Sequence, residues 1–292
     1  ITGSNTSNAS QKTMTQLSYY VNDQYLASRY RLDLWPLFAL GDGHNIQNIA
    51  SDSLVRWQVY AALAYGSRGL YYYCWGHGIV NWTAGTPGPN YPFVKIVNAD
   101  AQVWGNMLIK QRHYGAITTF GCTNKPLVDQ AGKEGRQCVR PGAKRIITNM
   151  DDNLIAGVFG KENGNLDADD DGLIMLVDSR TAMSIGALPK RTVHIAFAAG
   201  CAATVVEPGV ERTMASMHVA RAVSWDKVTQ LSLELNAGEG ALIEITGTNC
   251  GALIRTTRPW WFDPRSINLR HDYPQEESVK STTYGAYGAP TR

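Results

Sequence analysis

No apolar stretch of this chain approaches the ~18–20 residues that a membrane span requires, so nothing in it reads as a transmembrane helix. No basic run interleaves with aromatics, and a formal net charge of +2 leaves no electrostatic footprint for nucleic acid. None of the five cysteines stands in CxxC spacing, which argues against a zinc site. Charge is sparse, at 18% against 44% hydrophobic residues, and that balance excludes a disordered chain. Met and an apolar leader are also missing: the sequence begins Ile1-Thr2-Gly3-Ser4, which reads as a processed or truncated end.

Among the features present, the cysteines and sequons point the same way. Cys122 and Cys138 bracket a Gly/Lys/Gln-rich loop, and Cys201 and Cys250 lie beside predicted strands of one domain. Two disulfides with Cys74 left free in an apolar strand describe an extracellular protein; five reduced thiols would describe a cytosolic one. N-x-[ST] acceptors at Asn5, Asn8 and Asn81 favour the secreted, glycosylated reading.

The 292 residues suit about two domains. Residues 1–14 form a polar arm expected to be flexible and glycosylated. A helix is expected from Thr15 to Tyr30, with Leu17, Tyr20, Val21 and Tyr25 near one face. Leu32 to Leu40 (LDLWPLFAL) follows as a short buried strand, although Pro36 is awkward inside one. Ser51, Asp52 or Ser53 caps a helix carrying Leu54, Trp57, Ala61, Ala64 and Tyr65, and Gly66 ends it. Leu70 to Trp75 (LYYYCW) reads as a second buried strand, and Val94, Val97, Ala101, Trp104 and Leu108 mark another amphipathic helix. Strand, helix, strand, helix is the pattern of a parallel sheet. Two strands cannot bury both faces of one, so residues 15–112 look like part of a domain.

From His113 the pattern changes to short strands near 114–120, 144–149, 153–159, 173–178, 191–197, 202–206, 229–235 and 241–246. Their number suggests an antiparallel β-sandwich over 113–250. Leu231, Leu233 and Leu235 alternate with polar residues, and Asn236 to Gly240 suits a hairpin joining the last two strands. Residues 251–292 read as an extended tail rich in Pro, Trp, Tyr and Gly.

Arg56–Trp75 (RWQVYAALAYGSRGLYYYCW) resembles the end of the catalytic barrel in clan-A glycoside hydrolases, particularly β-galactosidase-like families. The hairpin LSLELNAGEGALIEI resembles the last hairpin of the β-domains that accompany such barrels. The resemblance implies an α/β plus all-β fold: the last strands and helices of a TIM-type (β/α)8 barrel, then an antiparallel β-sandwich. It also implies a second polypeptide or a missing N-terminal segment to complete the barrel. Such enzymes use two carboxylates, at the ends of the fourth and seventh strands. The fourth strand would precede this chain, and after the seventh the sequence offers Gly41-Asp42-Gly43-His44 with no Glu. Asp42 is the candidate second carboxylate, or simply a turn residue. His44 and His77 end the two strands and are candidates to hydrogen-bond sugar hydroxyls. Trp75 either stacks on a pyranose or caps the barrel core, whereas Trp35, earlier in its strand, is expected to pack inside.

An acidic stretch carries separate chemistry. Asp167, Asp169 and Asp171 occupy positions 1, 3 and 5 of a calcium-loop pattern, with Gly172 at 6 and Asp178 at 12 where Glu is usual. A Ca²⁺ site and a solvated acidic turn are the two readings. For the whole chain the leading expectation is the C-terminal portion of a secreted glycoside-hydrolase-like protein, acting on or binding glycans. The alternatives are an inactive pseudo-glycosidase that serves as an assembly subunit of an extracellular coat or filament, and a carbohydrate-binding module.

Overall fold

The computed structural model describes residues 33, 35–39, 51–73, 78–81, 83–120, 139–161, 171–182, 186–206, 220–225 and 228–257. The first elements are strand β1 (Leu37–Ala39), helix α1 (Asp52–Ala64), strand β2 (Tyr71–Tyr73), the small pair β3 (Val80–Asn81) and β4 (Thr86–Pro87), and helix α2 (Tyr91–Leu108). Ser51 opens α1, its Oγ accepting the Leu54 N–H at 3.2 Å. Gly66, at φ +80°, follows its end, a backbone state that glycine adopts without steric cost. Nearly every residue of α1 is buried, which marks a helix enclosed by other elements rather than one facing water. In α2, Val94, Val97, Asp100, Trp104 and Leu108 recur at helical spacing and form its single buried stripe.

The remaining strands are β5 (Gln111–Thr118), β6 (Ile147–Met150), β7 (Leu154–Lys161), β8 (Gly172–Asp178), β9 (Arg191–Phe197), β10 (Cys201–Val206), β11 (Ala220–Trp225), β12 (Val228–Leu235) and β13 (Gly240–Gly247). A short helix α3 (Cys250–Arg255) closes the described chain. Five strands form one antiparallel sheet in the order β10-β13-β8-β7-β5, and four form another in the order β11-β12-β9-β6. Aliphatic side chains from both sheets, including Leu154, Ile174, Ile195, Leu233 and Ile243, share one buried cluster, so the sheets face each other. The opposite face of the five-stranded sheet contributes Ile155, Phe159, Leu173, Met175, Val177 and Leu242 to a second cluster with α1 and α2.

This layering explains the strand patterns. β8 is buried at every position and β7 at all but its last, because each has the second sheet on one side and helix on the other. β9, in the outer sheet, alternates between buried and more exposed positions along its length, as expected with one face wet. The helix sits very close: a Cβ on Gly157 of β7 would stand 1.9 Å from the Ala64 carbonyl oxygen. Polar contacts fix the other end of α1. Ser51 Oγ donates to the Ala182 carbonyl at 2.5 Å, the Ala182 N–H donates to Ser53 Oγ at 3.0 Å, and Arg56 Nε donates to the Ala237 carbonyl at 3.0 Å.

Several expectations are corrected. The end of a (β/α)8 barrel is not what residues 15–112 form where they are described. β1 and β2 do pair in parallel, Leu37 with Tyr71 and Ala39 with Tyr73, but every other ladder between described strands is antiparallel. After α2 the chain turns directly into β5 at the edge of the antiparallel sheet, and that sheet covers α1. A helix-strand alternation specifies elements, not the sheet they join. The expected hairpin is also replaced: β12 pairs with β9 and β11, β13 pairs with β8 and β10, and Asn236–Glu239 carries the chain from one sheet to the other. Leu231, Leu233 and Leu235 therefore meet Ala241, Ile243 and Ile245 across the core instead of beside them. Finally, the strand expected from Leu32 to Leu40 begins only at Leu37; Pro36, which has no N–H, precedes it. The helix expected over 15–30 lies outside the described residues, as do residues 258–292 of the expected tail 251–292, whose first residues form α3 rather than an extended segment.

Candidate functional site

Adjacent residues of a strand point to opposite sides, so Tyr71 and Tyr72 of β2 cannot share an environment. Tyr72 faces the helices: its ring lies 5.8 Å from that of Phe38, and its hydroxyl donates to Asn98 Oδ1 at 2.6 Å. Burial pushes the Tyr72 hydroxyl pKa well above its usual value. Tyr71 faces outward and is 55% exposed. Beside it, Trp35 is 51% exposed, with ring centroids 5.5 Å apart and planes tilted by 35°. Trp35 was expected in the core, and this placement corrects that.

The pair is held from the backbone. The Tyr71 N–H donates to the Pro36 carbonyl at 3.1 Å, which fixes Tyr71 next to the residue after Trp35. The Trp35 indole rests on Gly69, where a Cβ would fall 2.2 Å from Cε3 of the ring. Only glycine permits that approach. Two uncharged rings thus present a fixed apolar surface to solvent.

The same segment walls a cavity of about 230 Å³ against the C-terminal half of α2. Leu63, Arg68, Leu70, Gln102, Asn106 and Ile109 are among its lining residues. Arg68 donates through Nη1 to the Ile109 carbonyl just past the end of α2, the position where a helix dipole favours a cation. Its Nε stands 4.0 Å from Asp33 Oδ1, a carboxylate with 67% of its side chain exposed. Behind this wall, His113 Nε2 lies 2.9 Å from the Ala64 carbonyl and its ring is 4.8 Å from that of Phe159. Burial lowers its pKa to about 3, partly offset by the bond to Ala64 and reinforced by the Arg68 charge.

The residues singled out from sequence are placed as follows. Asp42, His44, Trp75 and His77 lie outside the described residues, as do Asn5, Asn8, Cys74, Cys122, Cys138, Asp167 and Asp169. Cys201 and Cys250 form a disulfide that ties the start of β10 to the start of α3. Asn81 is exposed in β3, its Oδ1 accepting the N–H groups of Thr83 and Ala84 at 3.1 and 3.2 Å. Asp171 is exposed just before β8, while Asp178 ends that strand fully buried. An extended strand of this length separates them by roughly 20 Å, so one ion does not bind both. Asp178 instead accepts from Arg180 at 2.7 and 2.8 Å and from Arg191 at 3.0 and 3.2 Å. Asp178 therefore does not close a calcium loop with Asp171. Among the described residues no group of three or more His, Cys, Asp or Glu side chains gathers as a metal site, and no helix is long and apolar enough to cross a membrane.

Trp35 and Tyr71 were missed as surface residues. The signal was there: proline after Trp35 keeps it out of the strand interior, and three consecutive tyrosines cannot all face one side. No protein-family model, curated protein or solved structure matches the chain.

Proposed function

We propose that this chain belongs to a secreted protein and that its contribution is glycan binding through the exposed aromatic surface of the helical layer. The observation that carries this reading is the exposed Trp35–Tyr71 pair, 5.5 Å between centroids and seated on Gly69. A pyranose has one face of C–H groups, which an uncharged aromatic surface covers without desolvating any ion. Hydrolysis requires two carboxylates across the scissile bond. Asp33 is the carboxylate paired with the surface here, through Arg68. The Cys201–Cys250 disulfide supports an oxidising compartment.

Calorimetric titration with soluble neutral oligosaccharides tests the reading. Binding by the wild type should weaken about tenfold in Trp35→Ala and in Tyr71→Ala, the equivalent of ~1.4 kcal/mol. Absence of binding across the panel removes it.

A second reading, an assembly subunit, is supported by the exposed large apolar side chains. Among the described residues, Trp35, Tyr71, Tyr91, Val103 and Ile109 all belong to the helical side and none to the five- or four-stranded sheet. Sedimentation showing a concentration-dependent oligomer that Val103→Asp dissolves would favour it.

A further inference from the structure

The cavity beside the aromatic pair suggests which part of a glycan is recognised. Resting on the glycan-binding reading above, we infer that the cavity between Arg68–Leu70 and the C-terminal half of α2 is a subsite for one uncharged terminal sugar, with the Trp35–Tyr71 surface carrying the next unit. Three observations lead there. First, a volume of about 230 Å³ lies below the ~300–1,000 Å³ of pockets that enclose drug-sized ligands, a scale closer to one sugar ring than to an oligosaccharide. Second, its polar lining suits hydroxyl groups. Gln102 and Asn106 stand one turn apart on the exposed side of α2, and each amide offers both a donor and an acceptor, as a vicinal diol demands. Third, the charge at the site is nearly balanced. Arg68 is shared between the Ile109 carbonyl and Asp33, and the helix end beneath it exposes carbonyl acceptors rather than N–H donors. An anionic sugar gains little from such a site, whereas a neutral hydroxyl donor is matched. Gly69 and Leu70 line the cavity, and the Trp35 indole rests on Gly69, so pocket and platform share one wall.

The test uses the whole chain and neutral oligosaccharides of one to six units, each also prepared with its non-reducing terminal hydroxyls methylated, and a uronate-capped series. Affinity should reach most of its value by the disaccharide and fall about tenfold on capping or on uronate substitution. The surface variant Gln102→Ala/Asn106→Ala should lose about tenfold for uncapped chains and show no further loss on capping. If affinity instead grows steadily to six units and ignores the cap, or the double variant binds as the wild type does while Trp35→Ala does not, the terminal subsite is wrong and glycan binding stands. If no member of any series binds, both fall.

Discussion

The five-stranded sheet has two buried faces that differ in chemistry. Toward the second sheet, the core is largely aliphatic, built from Ile, Leu, Val and Ala of eight strands. Toward the helices, it is aromatic and laced with polar contacts. Trp57, Tyr60, Trp104 and Phe38 pack there, Tyr60 donates to the buried Asp100 at 2.5 Å, and Tyr72 donates to Asn98. Every large apolar side chain left exposed among the described residues also lies on the helical side. The sheet-to-sheet face is closed by apolar packing. The helical face is pinned by specific contacts at the two ends of α1 and still offers surface outward. One sheet therefore joins an aliphatic core to a more specific aromatic layer, and that difference is the lesson of the contrast.

The largest effect should come from the bond that closes the sandwich side. Cys201 and Cys250 are both buried and enclose a sequence separation of 49 residues. Chain-entropy arguments give about 4 kcal/mol for a loop of this length. The Cys201→Ser/Cys250→Ser variant should therefore lose roughly that much in urea unfolding. If the helical layer depends on the sandwich, near-ultraviolet dichroism of Trp57, Tyr60 and Trp104 will disappear at the same denaturant concentration as the strand signal. Two separated transitions would show that the layers stand independently.

Next comes the clamp at the end of β8. Asp178 is fully buried and held by two guanidinium groups, and its N–H donates to the Glu239 carbonyl beside the turn that touches α1. Asp178→Asn leaves two arginines facing one neutral amide and should cost about 3 kcal/mol, measured by thermal unfolding at fixed salt. Calcium should not alter that figure, since the carboxylate is already engaged by arginine.

His113 probes the helical side by pH. Its folded pKa is lowered to about 3 from 6.5, so between these values the unfolded chain binds the extra proton. Stability from this group is fully present above about pH 6.5 and falls by about 1.4 kcal/mol per unit as pH drops toward the folded value. His113→Gln keeps a donor for the Ala64 carbonyl and removes the titration. Its stability should be flatter than the wild type's between pH 6 and 4, by denaturant midpoint.

Much of this arrangement was legible in the sequence, but unevenly. The trio Ser51, Asp52 and Ser53 held the cap of α1 and Gly66 marked its end, and eight strands of the two sheets fall within a few residues of where alternation and turns put them. Partnership was not legible. A turn such as Asn236–Glu239 joins neighbouring strands or opposite sheets with the same residues, and only the stacking of Leu231, Leu233 and Leu235 over Ile243 and Ile245 decides between them. The uninterrupted apolar runs of β7 and β8 carry a mark of cover on both faces that counting strands leaves unused. Asp178 was misread because spacing counted along the chain implied a loop, whereas β8 is extended and carries it to the far end of the sheet. The exposed aromatic pair was hidden by the habit of placing aromatics inside.

The smallest effect on stability is expected where the largest effect on binding lies. Tyr71 is 55% exposed, so Tyr71→Ala removes little buried area and should change unfolding by no more than about 0.5 kcal/mol. Trp57, fully buried in the same layer, should cost about 3–5 kcal/mol when truncated to alanine. The two substitutions therefore separate the layer's inner and outer faces. If Tyr71→Ala unfolded as readily as Trp57→Ala, Tyr71 would be supporting the helices, and the outer face would be structure rather than surface. If it keeps its unfolding midpoint and loses oligosaccharide, the aromatic pair is held ready by a scaffold that does not depend on it.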